Sequence, residues 1–318
     1  MEKINENLSR NVNEENEIEN NETNRLKKNK YTVIFDLETT GLDTNKDRMI
    51  QIAMMKVDSI TFDIVKQFEC KIYPSNGEKS SDDAIKIHKI KNEELIGCPM
   101  FSDIADYVLD FIKDCDLSGF NIANFDIPML TREFHLAGKD VYFGDRRLVD
   151  VYLISNEYIK KDQVHIYRVL YDKNGVGYHL PGYRKELVEH AHDALVDITM
   201  TREIYLGLIK QFNITDEKID ELNGNYTYRI DFGGFFIKKN NGSDNIYIDK
   251  WAHKGETWME VPLNYCAYLY NECRLAYDSK HVVTRIFKER TKLDIPTGPN
   301  WKNDLKNMAI QHNLNIYK

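Results

Sequence analysis

Residues 31–38 read "YTVIFDLE": an apolar run, Val33, Ile34 and Phe35, passes into two acids that alternate with a leucine. The run predicts a buried strand. Side chains two apart on a strand share a face, so Asp36 and Glu38 stand side by side. "MIQIAMMKVDSI" (49–60) and "DIVKQFECKIYP" (63–74) predict two further strands separated by a short turn. Ile104, Tyr107, Val108 and Phe111 fall at helical spacing within residues 100–115. "LSGFNI" (117–122) reads as a short buried strand, and Phe125–Ala137 as a helix with Pro128 in its first turn, where proline is tolerated. "RRLVDVYLI" (146–154) predicts a strand that passes into a helix. Residues 193–212 predict a long helix with Asp193 as its N-cap. Three strands followed by alternating helix and strand predict an α/β fold, a mixed sheet covered by helices.

The pattern changes at both ends of this region. Residues 1–29 are mostly Asn, Glu and Lys with isolated aliphatics, the composition of a disordered leader. Residues 214–225 are polar, with Gly and Asn, and predict a linker. From 226 to 318 aromatic and basic residues are frequent, and a small α+β accessory domain is expected there. Residues 30–213 are left as the main domain.

At 318 residues the chain can bury two cores. No apolar run is long enough to span a bilayer and no secretory signal opens the sequence, so cytoplasmic residence is the expectation. Five scattered cysteines without a CxxC pair argue against a disulfide framework or a zinc–thiolate centre. The net charge of −8 argues against a protein that coats nucleic acid by bulk charge. It leaves room for a local basic groove, or for an acidic site that metal neutralises.

Three segments supply acids. The first is Asp36-x-Glu38. "GFNIANFDIPML" (119–130) puts Asp126 between a strand and a helix start, and "HAHDALVDI" (190–198) puts His192 just before a helix and Asp197 in its first turns. Each has a plain structural reading by itself: a turn-forming acid pair, a helix cap, a surface histidine beside a cap. Together they form a set of hard oxygen donors without cysteine, which suits Mg²⁺ or Mn²⁺. Four carboxylates exceed what one divalent ion needs and suit a pair of ions. A neutral imidazole beside them can take a proton from water near neutral pH. The residues alone thus reach two-metal phosphodiester hydrolysis as a hypothesis.

"FDLETTGLD", "GFNIANFDIPML" and "HDALVDI" resemble the three motifs of the DEDDh 3′→5′ exonucleases, the superfamily of polymerase proofreading subunits, ribonuclease T and exodeoxyribonuclease X. The resemblance runs from about Tyr31 to about Gln211 and includes "AIKIHKIKNEEL" (84–95). It implies a ribonuclease-H-like fold, two Mg²⁺ or Mn²⁺ ions held by Asp36, Glu38, Asp126 and Asp197, and His192 as general base. It also suggests Thr39, Leu42, Ile87, His88, Asn121 and Phe125 as residues that hold the terminal nucleotide. Core packing or turn formation is the competing reading for these. Single-stranded DNA or RNA 3′ ends become the expected partners, together with a DNA polymerase or replication and repair proteins, and no membrane. "KWAHKGETWMEVPLNYCAYLYNEC" (250–273) resembles the small C-terminal module of exodeoxyribonuclease X-like proteins. There Lys250, His253, Lys254, Arg285, Lys288 and Arg290 beside Trp251, Trp258 and Tyr268 suggest a nucleic-acid platform. The competing reading is a small core with a solvated charged face, favoured for Trp258 and Tyr268. The expected activity is release of nucleoside 5′-monophosphates from single-stranded ends, DNA before RNA. The alternatives are a non-catalytic recruiting module and an oligoribonuclease-type RNA exonuclease.

Overall fold

A computed structural model describes residues 26–317, apart from 142, 145, 226–227, 232–234 and 239–245. Three strands open the fold: β1 (Tyr31–Thr39), β2 (Met49–Asp58) and β3 (Ile64–Lys71). They form an antiparallel meander, with Asp36 opposite Ala53 and Glu38 opposite Gln51. β4 (Cys115–Gly119) pairs parallel to β1, and β5 (Leu148–Asp150) parallel to β4. The resulting mixed sheet has the order β3-β2-β1-β4-β5. The helices between and after the strands are α1 (Asp82–His88), α2 (Phe101–Phe111), α3 (Asp126–Leu136), α4 (Val151–Tyr158), α5 (Gln163–Tyr171), α6 (Lys185–Glu189) and α7 (Ala194–Phe212).

The pleat of β1 sorts its side chains between two cores. Val33, Phe35 and Leu37 pack with Phe101, Val108, Phe111, Leu130 and Phe134 of α2 and α3. Ile34 packs on the opposite face with Ile166 and Leu170 of α5 and Ile198, Ile204 and Leu208 of α7. Burying a side chain such as Phe35 completely contributes about 1.5–3 kcal/mol. A strand covered on both faces reads as a continuous apolar run, which is why residues 33–35 show no alternation. The alternation that appears at Asp36 marks where the strand leaves the covered part of the sheet.

Two boundary expectations need correction. Residues 214–225, expected as a linker, contain helix α8 (Asp216–Asn223), whose Ile219 joins the α7 core. Part of their polarity is internal wiring. Asp220 receives the Arg147 guanidinium at 2.5 Å, and Asn223 and Asn225 bond the backbone of β5. The leader lies outside the described residues up to position 25. Its last residues are tied down: the Leu26 N–H donates to the Asn225 carbonyl, and Lys28 pairs with Asp216.

Beyond α8, a three-stranded antiparallel sheet, β6 (Tyr228–Arg229), β7 (Phe236–Lys238) and β8 (Ile246–Ile248), is followed by α9 (Leu263–Glu272), α10 (Tyr277–Thr291) and α11 (Trp301–Gln311). These elements share a core of their own that includes Phe236, Leu269, Val283, Phe287 and Trp301. α10 packs on α3, and the Asn45 side chain bonds the Leu275 carbonyl at 3.1 Å across the same junction.

Candidate active site

Asp36 and Glu38 follow Ile34 on the face of β1 turned toward α7. Asp197 lies in the first turn of α7, buried, because Asp193 caps that helix by accepting from the Leu195 and Val196 amides. Donor oxygens of Asp36, Glu38 and Asp197 all lie within 4.8 Å of one another. Asp126 begins α3, and its Oδ1 accepts from the Leu37 amide at 3.0 Å, between the two β1 acids. The His192 amide donates to both Asp197 oxygens, at 3.3 and 3.2 Å. His192 and Asn121 both have left-handed backbone conformations, with φ of 71° and 63°, uncommon for non-glycine residues.

This arrangement is electrostatically unfavourable by itself. The pKa of Asp36 is raised well above the ordinary carboxylate value, first by burial and then by Asp126, Glu38, Asp197 and Asp193. Burial followed by the neighbouring acids pushes Glu38 up to about 8. Asp126 is pushed up to about 7, by burial first, and Asp197 to about 6 for the same leading cause. All the influences on Asp36 and Glu38 oppose charge, and added cations are the direct remedy. The donors are oxygens only, the chemistry of Mg²⁺ or Mn²⁺ sites, so this set fits the metal that the family implies.

The acids open into a cleft of about 440 Å³ lined also by Leu42, Phe120, Asn121, Asn124, Phe125 and His192. The cleft thus gathers the four carboxylates, His192 and three of the suggested nucleotide contacts: Leu42, Asn121 and Phe125. Leu42 is 85% exposed at its lip. The other three suggested contacts lie outside the lining. Thr39 is buried, with its hydroxyl donating to the Gly41 carbonyl at 2.7 Å. Ile87 is exposed on α1, and His88 is buried with Nδ1 accepting from the Ile90 amide at 3.0 Å. In the accessory region, most of the basic residues suggested for a platform have acidic or backbone partners. His253 meets Glu256, Lys254 Asp249, Arg285 Glu289 and Lys288 Asp294, and Arg290 bonds the Trp258 and Val261 carbonyls. Trp258 packs on the small core, whereas Trp251 and Tyr268 are exposed.

Sequence reasoning missed Asp150, Phe120 and Asn124. Asp150, fully buried at the end of β5, accepts from the Asn121 amide at 2.8 Å and the Ala123 amide at 3.1 Å. It holds the loop that carries Asn121 and Phe125 to the cleft. The only sequence signal was an acid ending the strand "LVD". Gly119 brings the same loop against β1: a Cβ there would lie 2.6 Å from the Phe35 carbonyl oxygen, one residue before Asp36.

Residues 33–205, from the first buried strand through the core of α7, match the family model RNase_T, described as Exonuclease. DNA polymerase III subunit epsilon of Treponema pallidum is 33% identical over 138 residues, 42% of this chain and 60% of that protein. The Buchnera aphidicola subunit is 28% identical over 185 residues, 56% of this chain and 72% of its own. The PolC-type DNA polymerase III of Staphylococcus aureus is 26% identical over 182 residues, 11% of its length. This chain therefore spans only part of each of these relatives. Among solved structures, one of exonuclease I aligns with a TM-score of 0.47 and 19% identity, covering 60% of this chain and 42% of that one. The zinc-bound complex of E. coli exonuclease I with single-stranded DNA aligns at 0.45 and 18%, covering 61% and 42%. The family match takes in more than half of the chain and contains the whole carboxylate set with His192, so the protein belongs to the RNase_T exonuclease family, within the DEDDh superfamily.

Proposed function

We propose that the protein is a metal-dependent 3′→5′ exonuclease that releases nucleoside 5′-monophosphates from single-stranded ends, DNA before RNA. One observation carries the reading: four carboxylates and an exposed histidine converge on one cleft whose remaining walls are Leu37, Leu42, Phe120 and Phe125 with two asparagines. Asp36, Glu38, Asp126 and Asp197 would hold two divalent ions. When bound, such ions supply the positive charge that the attacking and leaving oxygens of a phosphoryl displacement need. The chain's own groups do the rest. His192 takes the proton of the attacking water as its oxygen bonds to phosphorus. The bond from phosphorus to the bridging 3′ oxygen breaks, and that oxygen acquires a proton to become the new terminal hydroxyl. Leu42 and Phe125 pack on the terminal base and sugar without reading base identity, which suits an enzyme that digests mixed sequence.

The preference for DNA is supported by the relatives' names, which are subunits of DNA polymerase III. The same names support a DNA polymerase as a partner. Among the described residues no helix is long and apolar enough to cross a membrane. The test compares 5′-labelled single-stranded DNA, double-stranded DNA and RNA of one sequence. A ladder shortening from the 3′ end, fastest on single-stranded DNA, is the expected result. Cleavage from the 5′ end contradicts the direction, and digestion of short RNA alone favours the oligoribonuclease reading.

A further inference from the structure

A second cluster of metal-ligating side chains lies away from the carboxylates, where α10 of the C-terminal region packs on α3. His135, Asp140 and His281 bring donor atoms within 4.8 Å of one another. The His135 and His281 ring centroids are 4.2 Å apart at an interplanar angle of 37°, and His135 Nε2 is 3.8 Å from Asp140 Oδ1. The His135 side chain is only 11% exposed, and among the described residues neither of its ring nitrogens has a hydrogen-bond partner. Ring nitrogens shielded from water without a partner are costly, and such a group calls for an explanation. The tilted contact with the His281 ring does not answer it, because no hydrogen bond joins the two rings.

We propose that His135, Asp140 and His281 form a zinc site that clamps the C-terminal region onto the exonuclease domain. Two nitrogens and one carboxylate suit Zn²⁺ and not the oxygen-preferring Mg²⁺, so the site differs in kind from the carboxylate cleft. Three protein ligands leave a fourth position for water. Arg285 adds positive charge near His281, and Asp140 adds negative charge. Tyr277 packs against both rings and Arg132 lies over Tyr277, closing the cluster from α10 and α3. The clamp bears on function through position: α3 is the helix whose first residue is Asp126. It does not depend on the reaction proposed above, since none of its ligands lines the cleft.

The test uses the full chain, freed of metal, titrated with zinc alone by calorimetry in excess Mg²⁺ and followed by thermal melting. One zinc per chain is expected to bind and to raise the melting temperature. His281→Ala should abolish both effects. Asp140→Asn, an exposed substitution, should weaken zinc binding at least about tenfold while leaving the metal-free melting temperature unchanged. Asp36→Ala should keep the zinc. Zinc binding equal to the parent's in both His281→Ala and Asp140→Asn overturns the site. So does loss of the zinc in Asp36→Ala, which would place the ion among the carboxylates.

Discussion

Asp126 Oδ1 accepts a hydrogen bond from the Leu37 backbone N–H at 3.0 Å, so one bond fixes the start of α3 between the two acids of β1. The carboxylate therefore serves geometry as well as charge, and the two roles separate by substitution. Asp126→Asn keeps an oxygen able to accept from Leu37 but removes the charge. The fold should persist by circular dichroism while hydrolysis falls at least about a hundredfold. Asp126→Ala should lose both. A parental rate in Asp126→Asn would exclude Asp126 from the metal-holding set.

The mutual repulsion of the acids makes stability depend on cations. Divalent ions bound to the native state alone should stabilise it by about 2.7 kcal/mol at a hundredfold excess over Kd. Mg²⁺ or Mn²⁺ should thus raise the melting temperature of the parent. Glu38→Gln should blunt that rise and, in chelator, melt no lower than the parent, because it removes one of the charges acting on Asp36. An unchanged metal response in Glu38→Gln would remove it from the ligand set.

Helix α3 is also held from its far side. Arg48 meets both carboxylate oxygens of Glu133, at 2.6 and 2.7 Å, with both side chains buried. Removing one member of such a pair strands the other charge. Arg48→Met should cost about 3–5 kcal/mol in urea unfolding. A loss below about 1 kcal/mol would mean that Glu133 is relieved by other groups or by water.

What the chain's local pattern discloses divides along a physical line. β1, its acids, the α7 helix and the Asp193 cap are legible because each rests on periodicity or on spacing within a few residues. Asp150 was illegible because its value lies in two amides that tertiary folding brings to it. Residues 214–225 looked like a linker because Asp220, Asn223 and Asn225 are polar, and their buried partners, Arg147 and β5, are remote in sequence. Ile87 and His88 were suggested together for the nucleotide, yet they are adjacent residues of one helix, and the structure exposes one and buries the other.

Burial of His88 has its own consequence. Desolvation lowers its pKa below the ordinary 6.5, and Nδ1 is occupied as an acceptor for Ile90. The folded state therefore binds fewer protons at this ring than the unfolded chain does, so stability rises with pH across the window below about 6.5. Acidification through that window should lower the unfolding free energy, and His88→Gln should flatten this part of the profile. An identical pH slope in the variant would rule out His88 as its source.

The proposed function makes the carboxylates of β1, α3 and α7 the agents of metal-dependent 3′→5′ hydrolysis. The most direct measurement is release of mononucleotides from 5′-labelled single-stranded DNA in Mg²⁺ by the parent, by the parent in chelator, and by Asp36→Ala, with folding checked by circular dichroism. A 3′→5′ ladder is expected from the parent in Mg²⁺ and from neither of the other two. Undiminished release by a folded Asp36→Ala would contradict it.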